Sequence, residues 1–62
     1  MKVSEMKKIL RAHGCYLLRQ GSNHEIWYSP ISNFQFQIPR HNSQELPIGT
    51  QNAILKSAGI KS

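Results

Sequence analysis

The sequence predicts a two-layer α+β domain, in which one helix, three antiparallel strands and a second helix follow one another along the chain. Three observations lead to this class. Apolar residues recur at helical spacing near the start, three short β-forming segments follow between turn signals, and a second helical segment ends at a glycine. We expect the strands to form an antiparallel sheet with both helices packed on one face.

Length, charge and cysteine content limit the number of domains, the kind of partner and the cellular location. Sixty-two residues make a single domain, 1–62. Eight Lys or Arg against three Glu give a net charge of +5, which favours a polyanionic partner. The single cysteine allows no intrachain disulfide, no apolar run has membrane-spanning length, and the start lacks the apolar core of a signal peptide. We therefore expect a cytoplasmic protein with no membrane partner.

The first helix is predicted to begin at a Ser4 cap and to stop at Gly14. Its apolar positions are three or four residues apart and are Val3, Met6, Ile9, Leu10 and His13. The basic positions point elsewhere and are expected to form an exposed outer face: Lys7, Lys8 and Arg11. Such a face is more often simply solvated, but its three basic residues are also candidates to bind RNA phosphates in support of the site.

The first two strands are predicted at 15–20 and 24–29, separated by a turn at 21–23 whose glycine and asparagine tolerate positive φ. Cys15 is expected to be a small buried residue. In the second strand, one face carries His24, Ile26 and Tyr28, and the other carries Glu25 and Trp27. Both faces carry bulky side chains, so the pattern does not decide which face is buried.

The third strand, 34–38, alternates cleanly and is expected to turn Phe34, Phe36 and Ile38 inward before Pro39 ends it. A polar loop at 41–48 follows. The second helix is predicted to begin at a Thr50 cap and to end at Gly59. Its inner side carries Ala53, Ile54, Leu55 and Ala58, and Ile60 is expected to fold back on Leu55.

The histidines are the side chains best suited to proton transfer near neutral pH. A zinc site is not favoured, because the spacing of His13, Cys15, His24 and His41 matches no metal-binding motif. The chain has no Asp to orient a catalytic histidine, and its three glutamates are far apart in sequence. With these kinds of site excluded, acid–base chemistry by a histidine remains, and it requires no metal or other cofactor. RNA suits this chemistry because the substrate's own 2′-hydroxyl is the nucleophile.

Two short motifs carry this chemistry. Gly-Ser-Asn-His at 21–24 places His24 where a tight turn enters a strand, and Pro-Arg-His at 39–41 lies where a later strand ends. We interpret them as one site, with His24 for proton transfer and Arg40 or His41 for phosphate binding or the complementary proton transfer. Ser22 fixes the turn or contacts phosphate. Spacing alone would favour a structural histidine at position 24.

The motifs gain specificity in combination. The two motifs above are accompanied by Ile26-Trp27, by a turn at Pro30 and by Glu45-Leu46. The tail then reads Gly49-Thr50, Ile54-Leu55-Lys56 and Ala58-Gly59-Ile60. Together they resemble the HicA family, the toxin half of HicA–HicB toxin–antitoxin systems, over nearly the whole chain. Asn23 lengthens the commoner Gly-Ser-His form by one residue, and Asn33-Phe34 departs from the usual Asp-Gly-Arg turn.

The resemblance implies a fold similar to double-stranded-RNA-binding domains and a small ribonuclease, called an mRNA interferase. It also implies that the catalytic histidine is His24. We therefore expect a type II toxin that cleaves mRNA without a metal, and a HicB-like antitoxin that covers His24 and opposes Lys7, Lys8, Arg11 and Arg40. A non-catalytic RNA-binding module on the same fold, or a protein-binding adaptor, is the alternative.

Overall fold

The computed structural model describes residues 1–60; Lys61 and Ser62, the last two residues of the predicted domain, lie outside the described residues. The elements are helix α1 (Val3–Ala12), strands β1 (Tyr16–Gln20), β2 (His24–Ser29) and β3 (Phe34–Pro39), and helix α2 (Ile48–Ala58). The predicted α-β-β-β-α order is therefore confirmed. Among the described residues, neither helix has the length and apolarity needed to cross a bilayer.

The strands form one antiparallel sheet in the order β1-β2-β3, so β2 is central. The β1–β2 pairing contains an irregularity: Leu17 and Arg19 pair with consecutive residues of β2, which leaves Leu18 as the extra residue of a β-bulge. The bulge interrupts the alternation of side chains. As a result, Tyr16 and Arg19 lie on the same face of the sheet although they are three residues apart.

The two faces of the sheet are unlike. Both helices cover one face, here called the helix face, which carries the side chains of Leu17, Glu25, Trp27, Ser29, Phe36 and Ile38. In the part of the chain that the structure describes, neither helix covers the other face, here called the open face. It carries Tyr16, Arg19, His24, Ile26, Tyr28, Gln35 and Gln37. The face of β2 that the sequence left undecided is thus settled, because Trp27 is buried and His24 is exposed.

The core lies between the helix face and the two helices. Trp27 is the largest of the fully buried side chains. The buried apolar residues are Val3, Met6, Leu10, Cys15, Trp27, Phe36, Ile38, Leu46, Ile54, Leu55, Ala58 and Ile60. Burial of Cys15 confirms its expected role, although β1 begins one residue later than predicted. The hydroxyl of Ser29, also buried, donates to the Ala58 carbonyl at 2.5 Å and joins β2 to the end of α2.

The predicted Ser4 cap of α1 is wrong, because the helix begins at Val3 with Lys2 as its N-cap. Carbonyl groups of the loop before α2 satisfy the free amides of the first turn: Val3 N–H donates to Gln44 at 2.9 Å, and Ser4 N–H donates to Asn42 at 3.1 Å. This tertiary pairing makes a serine cap unnecessary, and a sequence pattern does not reveal it.

The exposed basic face predicted for α1 is wrong for Lys7, which is only 6% exposed. Its ammonium group donates to Asn42 Oδ1 at 2.7 Å and lies 2.9 Å from Glu25 Oε1. A lysine is buried when its charge is paired and hydrogen-bonded, as it is here. Lys8 and Arg11 are exposed as expected.

Two expectations about β3 and α2 are also corrected. Phe36 and Ile38 are buried, but Phe34 is 66% exposed because it is the first residue of β3, on the helix face but beyond the core. Helix α2 begins at Ile48 rather than after a Thr50 cap, and the Pro47 carbonyl accepts the first helical bond, from Gln51 N–H. Its predicted end is confirmed: Gly59 has φ of 74°, and Ile60 N–H bonds to the Leu55 carbonyl at 2.9 Å.

Candidate active site

The structure brings the two sequence motifs together. His24 is the first residue of β2, and its partner in the ladder is Pro39, the last residue of β3. The next residue, Arg40, is tied to the turn before His24 by two hydrogen bonds of 3.3 Å. Its backbone N–H donates to the Asn23 carbonyl, and its guanidinium Nη1 donates to the Ser22 carbonyl. Ser22, His24 and Arg40 therefore share one corner of the sheet, and all three are exposed.

Gly21 closes the turn that positions His24. Its N–H donates to the His24 carbonyl at 2.7 Å, and a Cβ on Gly21 would lie only 3.0 Å from that oxygen. The sequence suggested positive φ in this turn, but the described residues with positive φ are elsewhere, at Gly14, Asn33 and Gly59. The glycine is required by the close approach of the His24 carbonyl rather than by a left-handed backbone.

The corner opens onto a shallow depression on the open face, with a volume of about 310 Å³. It is lined by Arg19, Gly21, Ser22, Asn23, His24, Ile26 and Gln37. Sequence reasoning missed Arg19, because strict alternation along β1 places it with Leu17 on the helix face. The bulge at Leu18 reverses this and adds a second guanidinium to the surroundings of His24.

The other basic residues predicted for the site lie elsewhere. Lys7 is buried on the helix side of the sheet, and Lys8 lies on the same helix. The Arg11 guanidinium carbon is 5.3 Å from the centre of the Trp27 ring, which places it over the helix face. None of these three residues lines the depression that contains His24.

Glu25 is next to His24 in sequence but belongs to the opposite face. Its Oε1 accepts hydrogen bonds from Trp27 Nε1 at 3.0 Å and lies 2.9 Å from the Lys7 ammonium. Burial alone would raise the pKa of Glu25, but these bonds from Trp27 and Lys7 outweigh it and hold the pKa below its ordinary value. Glu25 is therefore a structural anion, and its contacts point away from His24.

His41 is exposed at the start of the loop between β3 and α2, and it does not line the depression. Its carbonyl accepts a hydrogen bond from Gln44 N–H at 3.1 Å. The following residue, Asn42, binds Lys7. Within residues 1–60, no three His, Cys, Asp or Glu side chains converge on a position that could hold a metal ion.

The carboxylates of the chain are all kept away from the open face. Glu5 accepts a hydrogen bond from the backbone N–H of Lys2 at the start of α1. Glu25 is buried on the helix face, and Glu45 is paired with the amino group of Met1 at 2.6 Å. Since these are the only three acidic side chains, the surface around His24 carries no side-chain anion to repel a phosphate.

Comparison with known proteins identifies the family of the chain. Residues 3–60 match the family model described as the HicA toxin of bacterial toxin–antitoxin systems. The chain belongs to the HicA toxin family. It is also 38% identical, over 98% of its own length and 100% of the relative's, to a protein of Photorhabdus laumondii named probable mRNA interferase HicA 2. No solved structure matches this HicA chain significantly.

Proposed function

We propose that this HicA chain is the toxin of a type II toxin–antitoxin system and acts in the cytoplasm as an endoribonuclease on mRNA. Membership of the family and the mRNA interferase name of its relative support the reaction class. The net charge of +5 and the absence of acidic side chains around His24 favour a polyanionic substrate. The single observation that carries the proposal is the exposed His24, held by a closed turn beside Arg40.

In the proposed reaction, His24 acts as general base or general acid. A base removes the proton of the RNA 2′-hydroxyl, the 2′-oxygen attacks the adjacent phosphorus, and the bond to the 5′-oxygen breaks as that oxygen receives a proton. The products are a 2′,3′-cyclic phosphate and a 5′-hydroxyl. The reaction needs no metal, because the nucleophile belongs to the substrate and the charge that develops on phosphate can be stabilised by guanidinium groups.

The neighbouring residues have supporting roles in this proposal. The Arg40 guanidinium lies beside the turn and can bind a phosphate oxygen. The Ser22 carbonyl accepts the hydrogen bond that positions Arg40, and the exposed Ser22 side chain can contact phosphate. His41 is the candidate for the complementary proton transfer, because it directly follows Arg40 in the chain.

A matched pair of histidine variants tests the role of His24. His24→Ala should slow RNA cleavage by roughly 10²–10⁴-fold, the effect of losing one proton-transfer group, without loss of the fold. His13→Ala removes an exposed histidine at the end of α1, whose ring binds the Ile9 carbonyl, and should leave cleavage unchanged. Full activity of a folded His24→Ala protein would refute the assignment. RNA binding by the wild type without any cleavage would favour the non-catalytic module.

We further propose that a HicB-like antitoxin silences the toxin by covering His24. An interface of standard size buries at least about 600 Å² on each partner, roughly a seventh of the 4111 Å² surface of this chain. Acidic side chains of the antitoxin would oppose Arg40 and the exposed Lys8 and Arg11, and the antitoxin would exclude RNA by covering His24 and Arg40. Titrating the antitoxin into toxin and labelled RNA should release the RNA. A ternary complex with RNA still bound would contradict masking.

A further inference from the structure

We propose that the open face binds single-stranded RNA, with an unpaired base stacked on Tyr16 and Tyr28 and the strand running past Arg19 to His24. The inference rests on the proposed ribonuclease function and specifies its substrate. It adds a binding surface to the catalytic corner, on the side of the sheet that neither helix covers.

The two tyrosines form the aromatic part of this surface. They are paired across β1 and β2, with ring centres 5.5 Å apart and ring planes tilted by 48°. Tyr16 is 51% exposed, so its ring is available to a ligand. The Tyr28 hydroxyl donates to Asn33 Oδ1 at 2.8 Å, which fixes the position of its ring. A held aromatic pair of this kind provides a platform for a base of any sequence.

The platform is continuous with the candidate active site. Tyr28 and His24 lie on the same face of β2 and are four residues apart, or roughly 14 Å along an extended strand. Between them lie Ile26 and, on the neighbouring strand, its partner Arg19. An RNA strand of a few nucleotides can therefore place one base on the tyrosines, a phosphate near Arg19 and another phosphate at His24.

The charge distribution favours the same path. The acidic side chains, which are Glu5, Glu25 and Glu45, lie on α1, on the helix face and in the loop before α2. The open face thus combines aromatic rings, amide side chains and a guanidinium without an opposing carboxylate. This composition is typical of sheets that bind single strands, whereas a duplex hides its base faces and offers mainly phosphates and 2′-hydroxyls.

The test measures binding separately from cleavage. The probe is a fluorescent 2′-O-methyl oligonucleotide of about ten nucleotides and mixed sequence, a length within the site sizes of such surfaces. It lacks the 2′-hydroxyl nucleophile, so the wild-type protein can be used without degrading it. Anisotropy titrations compare this single strand with the same strand annealed to its complement.

Tyr16→Leu and Phe34→Leu provide a matched pair, because both replace an exposed aromatic ring on the sheet, one on the open face and one at the end of the helix face. We expect the wild type to prefer the single strand and Tyr16→Leu to weaken it roughly 5- to 150-fold, the range for loss of one stacked base. Tyr16→Phe, which keeps the ring, and Phe34→Leu should bind as the wild type does.

Three results would overturn the inference: preference for the duplex, an equal effect of Tyr16→Leu and Phe34→Leu, or unchanged binding by a folded Tyr16→Leu protein. Circular dichroism and thermal melting of each variant establish that it is folded. These results leave the ribonuclease proposal standing, because cleavage of ordinary RNA is measured independently. Conversely, if the protein binds the single strand as expected but does not cleave RNA, the proposed ribonuclease function is refuted and the proposed binding surface is supported.

Discussion

Replacement of Lys7 by methionine should destabilise the fold strongly, although lysine substitutions on helices are usually mild. Lys7 is 6% exposed, and its ammonium group is the charged partner of the buried Glu25. Lys7→Met leaves that carboxylate buried and, within residues 1–60, with the Trp27 indole as its one remaining hydrogen-bond donor. Breaking a buried ion pair from one side costs about 3–5 kcal/mol. A 62-residue domain has a total free energy of unfolding of roughly 3–9 kcal/mol, so the loss is a large share.

Urea denaturation followed by tryptophan fluorescence measures this loss, since Trp27 is buried and is the single tryptophan. The matched control is Lys8→Met, an exposed position on the same helix, which should change the free energy of unfolding by less than about 0.5 kcal/mol. The double variant Lys7→Met/Glu25→Gln removes both charges, keeps an acceptor for the indole and should recover much of the loss. Equal midpoints for Lys7→Met and Lys8→Met would refute the buried pair.

Two further substitutions follow from the same geometry. Gly21→Ala places a Cβ 3.0 Å from the His24 carbonyl, and should cost about 1–3 kcal/mol and reduce cleavage. Gly49→Ala places a Cβ that, within residues 1–60, has no neighbour within 4 Å apart from adjacent residues and its own helix backbone, and should be neutral or stabilising. Similar melting temperatures and similar cleavage rates for the two variants would contradict this. Because the pKa of Glu25 lies below its ordinary 4.5, its contribution to stability is complete above that pH and lost as the pH falls through the lowered value. Glu25→Gln should therefore be less stable than the wild type at neutral pH but lose less stability on acidification. Melting temperatures of the two proteins, measured across this pH range, should converge as the pH falls; a constant difference between them would contradict the lowered pKa.

The element order and the central strand could be predicted because local patterns determine them. Residues 24–29 are bounded by turn signals on both sides, and β2 has these limits in the structure. The end of α2 was equally clear, since Gly59 suits a left-handed position and Ile60 returns to the helix. In both cases the necessary information lies within a few consecutive residues.

The starts of the helices and the identity of the buried ion pair could not be predicted in this way. Helix α1 begins before Ser4 because carbonyl groups about forty residues away satisfy its first amides. Lys7 is inside because Glu25, on a strand that reaches the same point in space, compensates its charge. Each outcome depends on a contact between distant segments, which periodicity does not encode.

Only part of the candidate site could be predicted from local sequence. The two motifs can be recognised by their composition, and the structure places His24 beside Arg40. Arg19 was missed because a single extra residue, Leu18, reverses the alternation of β1. No residue type marks such a bulge in this sequence, so the second guanidinium near His24 is visible only in the folded chain.

The proposed reaction depends on attack by the RNA 2′-hydroxyl beside His24, and substitution of that hydroxyl tests it directly. The cut position in a short RNA is mapped, and the same RNA is then made with a single 2′-deoxy nucleotide immediately 5′ to the scissile phosphate. In excess chelator, we expect a 2′,3′-cyclic phosphate or 3′-phosphate end from the unmodified RNA and no cut at the deoxy position. Cleavage at the deoxy position, or 3′-hydroxyl ends that require Mg²⁺, would contradict it.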